Sequence, residues 1–328
     1  MSGASGRSHE TTMSAVAPPR SALATTAAGI SFQNPVLLAS GTAGYGHELA
    51  EVVDLEALGG IVTKAVSPTP RSGNRSPRVG EFAGGMINAI GLANPGLEAV
   101  RETHLPWMAR HLARTRVLVN VVGDTIDDYV TVVAGLDHEG THSGYELNVS
   151  CPNVRHGGLE FGADPEALRE LVAAVRAITR RALFVKLSPT LSDIAATARL
   201  AVDAGADGLT LVNTMPGLVV DVERRRPAIG FGTGGVSGDA LLPIGVRATW
   251  LVHQALPGVP IIGLGGISTV EDALQYLLAG AHLVGVGTAA MRDPRTPERI
   301  VRGLGRWLST HGVRDLATVR GQLEWPAP

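Results

Sequence analysis

The feature that most constrains this chain is an alternation repeated eight times from residue 34 to near the end. Short apolar runs occupy residues 36–40, 60–64, 117–121, 145–149, 183–187, 208–212, 260–263 and 283–286. Each is rich in Val, Ile and Leu without strict alternation, the pattern of strands buried on both faces. Helical patterns at 48–58, 97–114, 126–135, 165–180, 192–205, 239–255, 269–279 and 296–310 separate them or follow the last. Asp164 before Pro165 and Ser192 before Asp193 read as helix caps. Eight strand–helix repeats predict an α/β protein of the (β/α)8 TIM-barrel class, which typically needs about 250 residues. The chain has 328, with no composition break to suggest a second domain. We therefore expect a disordered leader at 1–21 and one barrel domain over 22–328.

Composition excludes several functions. The formal charge is −2 with no basic stripe, which argues against a nucleic-acid partner. No apolar run reaches the roughly 18 residues of a membrane span, and the first 20 residues lack an apolar core, so the expectation is cytoplasmic. The single cysteine, Cys151, leaves no internal disulfide and no Cys-ligated zinc or iron–sulfur site in this chain. No spacing of metal-ligand residues stands out.

Chemistry concentrates at one end of the strands. Ser40, Lys64, Asn120, Asn148, Lys186 and Asn213 lie at or just past the C-terminal ends of the first six strands, the end where barrels build active sites. A single Asn there could merely cap a helix, but two lysines need anionic partners if buried. Together they point to a polar ligand with at least one negative group. Glycines add a second signal. Gly263-Leu-Gly265-Gly266 and Gly285-Val-Gly287-Thr288 end strands seven and eight, the places where barrels often hold phosphate by close backbone approach. Two connections, 65–96 and 213–238, exceed a minimal loop and read as functional.

Cys151 follows strand four in Asn148-Val-Ser-Cys151-Pro-Asn153. A lone cysteine is usually an inert core residue, yet this one lies on a loop at the active-site face, where a thiolate can act as nucleophile or base. Of ten scattered histidines only His156, near Cys151, invites a functional reading, and the run at 224–226 reads as a solvated loop face.

Seven motifs in order, from about Asn34 to Pro294, resemble the dihydroorotate dehydrogenase family. They are Asn34-Pro-Val-Leu-Leu-Ala-Ser40-Gly, Asn88-Ala-Ile-Gly91-Leu92-Ala-Asn94-Pro-Gly96, the Cys151 segment, Val185-Lys186-Leu-Ser-Pro, Asn213-Thr214, Gly234-Gly235-Val-Ser237-Gly238 and the two terminal glycine pairs. Cysteine before Pro-Asn resembles class 1, and the 213–238 stretch looks closer to class 1B than to the fumarate-using class 1A. The resemblance implies oxidation of (S)-dihydroorotate to orotate in pyrimidine biosynthesis, with FMN as cofactor. Cys151 would remove the C5 proton while the flavin takes the C6 hydride. It further implies a homodimer and a separate subunit carrying FAD and a [2Fe–2S] cluster that passes electrons to NAD.

The implied substrate residues are Lys64, Asn88, Gly91, Leu92, Asn148, Asn153, Asn213 and Thr214. The implied cofactor residues are Ser40, Lys64, Ala65, Asn120, Asn148, Lys186, Val212, Gly238, Gly265, Gly266, Gly287 and Thr288. The loop 154–161 would lie over the site. The competing readings are a class 1A enzyme or related dihydropyrimidine dehydrogenase, a flavin-free phosphate-binding barrel, and a non-catalytic FMN-binding subunit.

Overall fold

A computed structural model describes residues 21–138, 142–150 and 160–326. Eight strands close a barrel: β1 (Val36–Leu38), β2 (Gly60–Val62), β3 (Arg116–Val121), β4 (Gly144–Asn148), β5 (Ala182–Leu187), β6 (Gly208–Leu211), β7 (Ile261–Leu264) and β8 (Leu283–Val286). They pair in sequence order, and every pairing is parallel, β8 returning to β1. The expected strands and their order hold, with no end shifted by more than two residues.

Side-chain alternation along these strands organises everything that follows. Residues Val36, Leu38, Ile61, Val117, Val119, Leu183 and Val185 pack outward among the helices. Their alternates Leu37, Val62, Leu118, Phe184, Ile262 and Leu283 meet in a separate inner cluster, joined by Ala27 and Phe32. The latter two come from an antiparallel hairpin, Thr25–Ala27 with Ile30–Phe32, which plugs the N-terminal end of the barrel. Two residues further along the same inward rows come Asn120 and Lys186, with Glu146 paired to Asn120 and Thr210 to Lys186 on the adjoining strands. The interior is thus apolar at the bottom and polar toward the C-terminal mouth.

The outer helices follow the expected pattern with three corrections. Residues 48–58 form turns and a short 3-10 helix, Leu55–Ala57, rather than one helix. Val52, Val53 and Asp54 are weak helix formers, and the Asp54 carboxylate captures the Glu56 N–H, restarting the chain. The cap of helix Ile194–Asp203 is Asp193, accepting from Ala196, rather than Ser192. The stretch beginning at Gly96 is interrupted by a π turn, Val100–His104, before Leu105–His111. A short helix, Thr288–Arg292, follows β8 and was not anticipated.

The two long connections prove to be one structure. Val79–Phe82 and Gly85–Asn88 form a hairpin in the first; Met215–Gly217 and Gly234–Ser237 lie in the second. Gly234–Ser237 pairs with both Gly85–Asn88 and Met215–Gly217, giving a four-stranded antiparallel sheet beside the barrel mouth.

Candidate active site

The mouth of the barrel opens into two adjoining cavities that share Ser40, Gly41, Asn88, Lys186, Asn213 and Thr214 as common wall. The first runs toward the glycine turns: Gly238, Gly265, Gly266, Gly287 and Thr288 line it. The second runs under the sheet and carries Lys64, Ala65, Gly91, Leu92, Asn120 and Asn148. Almost all the residues singled out from sequence therefore converge. Val212 does not reach either wall; it is fully buried, and its N–H donates to the Leu264 carbonyl. Cys151, Asn153 and His156 lie outside the described residues.

The asparagines are fixed by one another and by backbone. Asn213 Nδ2 donates to Asn148 Oδ1 at 3.0 Å, and Asn213 Oδ1 accepts from the Thr214 N–H at 2.9 Å. Tyr129 Oη donates to the Asn148 carbonyl at 2.8 Å. Asn88 Nδ2 donates to the Gly235 carbonyl across the sheet. Behind the second cavity, buried Asn94 accepts from Gly96 N–H and donates to the Leu92 carbonyl. It thereby holds the tight turn in which Gly91 and Leu92 both have positive φ, 70° and 55°. A Cβ at Gly91 would come within 2.6 Å of the Asn74 N–H nitrogen, so only glycine fits.

The far end of the first cavity is built for a different ligand chemistry. A Cβ on Gly287 would meet nothing closer than 3.7 Å, so the backbone there is not crowded. Gly265 and Gly266 both have positive φ, and Tyr276 Oη donates to the Gly265 carbonyl at 2.8 Å, pinning the turn from behind. Thr288 and Ser237 hydroxyls bond each other at 2.8 Å. Backbone donors and hydroxyls suit a phosphate.

Between the two ends the barrel interior presents a polar layer that sequence reading passed over. Glu146 is almost fully buried, accepting from Asn120 Nδ2 at 2.7 Å and Thr210 Oγ1 at 2.8 Å. Lys186 Nζ lies 4.0 Å from it and has no hydrogen bond among the described residues. Asn120 Oδ1 is buried and also without a partner. Glu160, another unanticipated group, lines the second cavity beside Ser188, and burial holds its carboxyl above the usual range.

Residues 22–308 match the family model described as dihydroorotate dehydrogenase. The chain belongs to the dihydroorotate dehydrogenase family. Relatives agree over nearly their whole length. The chain is 46% identical, over 90% of itself and 97% of the relative, to "Dihydroorotate dehydrogenase B (NAD(+)), catalytic subunit" of Pelobacter propionicus. It is 49% identical, over 92% of itself and 99% of the relative, to "Putative dihydroorotate dehydrogenase A (fumarate)" of Solibacter usitatus. Among solved structures, it resembles DHODH from Eimeria tenella in complex with ferulenol, with a TM-score of 0.78, 26% identity, and 92% and 88% of the two chains covered. Membership in this family makes the chain an oxidoreductase that uses a flavin. The orphaned Asn120 Oδ1, the unbonded Lys186 ammonium and the bare glycine backbone at the other end fit a planar polar ring joined to a phosphate.

Proposed function

We propose that this chain is the FMN-holding catalytic subunit of a class 1B dihydroorotate dehydrogenase, oxidising (S)-dihydroorotate to orotate. The observation that carries this reading is the convergence of Lys64, Lys186 and the asparagine set between a glycine-walled phosphate end and a sheet-covered chamber. Gly238, Gly265, Gly266, Gly287 and Thr288 would hold the ribityl chain and phosphate, and Ser40, Lys64, Ala65, Asn120, Asn148 and Lys186 the ring. When bound, FMN supplies the acceptor for the hydride that dihydroorotate loses.

The chain's own groups do the rest. Asn88, Asn148, Asn153 and Asn213, with Thr214 and the Gly91–Leu92 backbone, match a substrate ring of alternating N–H and C=O groups, because an amide both donates and accepts. Lys64 suits the substrate carboxylate. Cys151, three residues after the end of β4 in sequence, takes the C5 proton onto Sγ as general base. Lys186 places a fixed positive charge where negative charge develops, a preorganised electrostatic contribution.

Electrons then leave for NAD through a partner subunit carrying FAD and a [2Fe–2S] cluster, since a single cysteine cannot ligate such a cluster here. The chain works as a homodimer in the cytoplasm; no helix among the described residues is long and apolar enough to cross a membrane. The relatives' names divide between NAD and fumarate, so the acceptor is tested directly. Cofactor released by heat should be FMN by mass. Orotate should form from dihydroorotate, and not uracil from dihydrouracil. NAD with the partner subunit, rather than fumarate, should sustain turnover. Turnover with fumarate alone overturns the class 1B reading while leaving the substrate intact.

A further inference from the structure

We propose that Glu146 is a positioning residue that sets the charge and hydrogen-bonding polarity of the flavin site from beneath; this rests on the reading that the cavity holds FMN. Its side chain is inside the barrel because Tyr145 and Leu147, its neighbours on β4, both pack outward among the helices. The carboxylate is almost completely excluded from water. A charged group so placed is retained only with partners, and Glu146 has three, one from each of three other strands: Asn120 of β3, Lys186 of β5 and Thr210 of β6.

Two consequences follow from the chemistry of a carboxylate. An ionised carboxylate can only accept, so the Asn120 group facing it at 2.7 Å is the NH2. The amide is therefore locked with Oδ1 turned away from the carboxylate, buried and without a partner among the described residues. Toward a ring N–H, Asn120 can then serve only as an acceptor. The second consequence is electrostatic. Lys186 Nζ has Glu146 as its one anionic neighbour within 4.0 Å among the described residues. The lysine side chain is 9% exposed, so solvent screens the pair weakly. Glu146 offsets part of the positive field that Lys186 projects into the cavity, and so restrains how strongly the site favours a reduced, negatively charged ring over an oxidised, neutral one.

The test uses the flavin-loaded enzyme and reads the flavin's midpoint potential. Glu146→Gln keeps the shape while removing the charge. It should favour reduced over oxidised flavin by at least threefold, a rise in potential at about 30 mV per tenfold for a two-electron couple. Lys186→Met should lower the potential, and Glu146→Gln added to it should shift it by less than in the wild type. A potential that is unchanged, lowered or raised by less than threefold in Glu146→Gln overturns the proposal.

Urea unfolding gives a second readout that does not need bound flavin. If the two charges are paired, the double variant loses less stability than the sum of the singles; additive losses overturn the pairing. Should Glu146→Gln fail to fold, a double variant that folds supports the pairing, and one that also fails counts against it. A wild-type protein that binds no FMN, or whose flavin dihydroorotate does not reduce, refutes the underlying reading. An unshifted variant of a working enzyme refutes only the role of Glu146.

Discussion

Gly245 does not itself line the cavity, yet its replacement by alanine should damage the phosphate end of the site. It lies on helix Leu242–Ala255, and a Cβ there would fall 1.9 Å from Tyr276 Oη and 2.8 Å from the Leu264 carbonyl oxygen. Tyr276 is the residue whose hydroxyl holds the Gly265 carbonyl at 2.8 Å. Overpacking costs about 1–3 kcal/mol, and losing the buried hydrogen bond costs about 1 more. The better helix propensity of alanine returns about 1 kcal/mol. The net expectation for Gly245→Ala is a loss of about 1–3 kcal/mol in urea unfolding, with several-fold weaker FMN binding by fluorescence titration. Tyr276→Phe removes the hydroxyl alone and should cost about 1 kcal/mol. It also removes the atom that the new methyl would strike. The double variant should therefore lose less than the sum of the two singles, a coupling of about 1 kcal/mol or more. Additive effects, or wild-type stability and FMN affinity in Gly245→Ala, would refute the reasoning.

Acid should destabilise the fold through two histidines. Burial, with Arg181 nearby, pushes His142 down to about 3, and burial, with Arg320 and His253, pushes His282 down to about 4, from an ordinary 6.5. Both stay neutral when folded while the unfolded chain protonates near 6.5, so stability is unaffected above pH 7 and falls as pH drops below 6.5 toward 4. Each should cost roughly 1–2 kcal/mol by pH 5 at about 1.4 kcal/mol per pH unit; urea midpoints that stay flat from pH 7.5 to 5 refute this. Asn94→Ala strips the bonds to Leu92 and Gly96, so the KM for dihydroorotate should rise about tenfold or more, from roughly 1–3 kcal/mol of lost positioning, with FMN affinity unchanged. Cys151→Ala should leave FMN bound and slow its reduction by dihydroorotate about 10²–10⁴-fold in stopped flow, the usual contribution of a general base.

The barrel was legible because strands buried on both faces announce themselves as apolar runs, and eight such runs admit few arrangements. The glycine turns and the strand-end Lys and Asn residues were legible for the related reason that barrel chemistry collects at one end of the strands. The sheet beside the mouth was not. Its strands, such as Gly85–Asn88 and Gly234–Ser237, are glycine-rich, lack alternation, and pair across long stretches of chain. Glu146 was hidden inside an apolar run. Yet the signal existed, since Glu146 stands two residues before Asn148 and so shares its inward face. The 48–58 segment has helical apolar spacing, but Val52, Val53 and Asp54 interrupt it with weak helix formers. Val212 sits next to a site residue in sequence, but the strand ends at Leu211 and Val212 packs into the outer apolar cluster.

The central claim is that dihydroorotate surrenders a hydride in this site. Anaerobic mixing of the FMN-loaded protein with excess dihydroorotate tests it most directly, followed by absorbance near the flavin's visible band. The flavin should bleach within seconds, with one orotate formed per flavin. A flavin that dithionite bleaches but dihydroorotate leaves oxidised would contradict it.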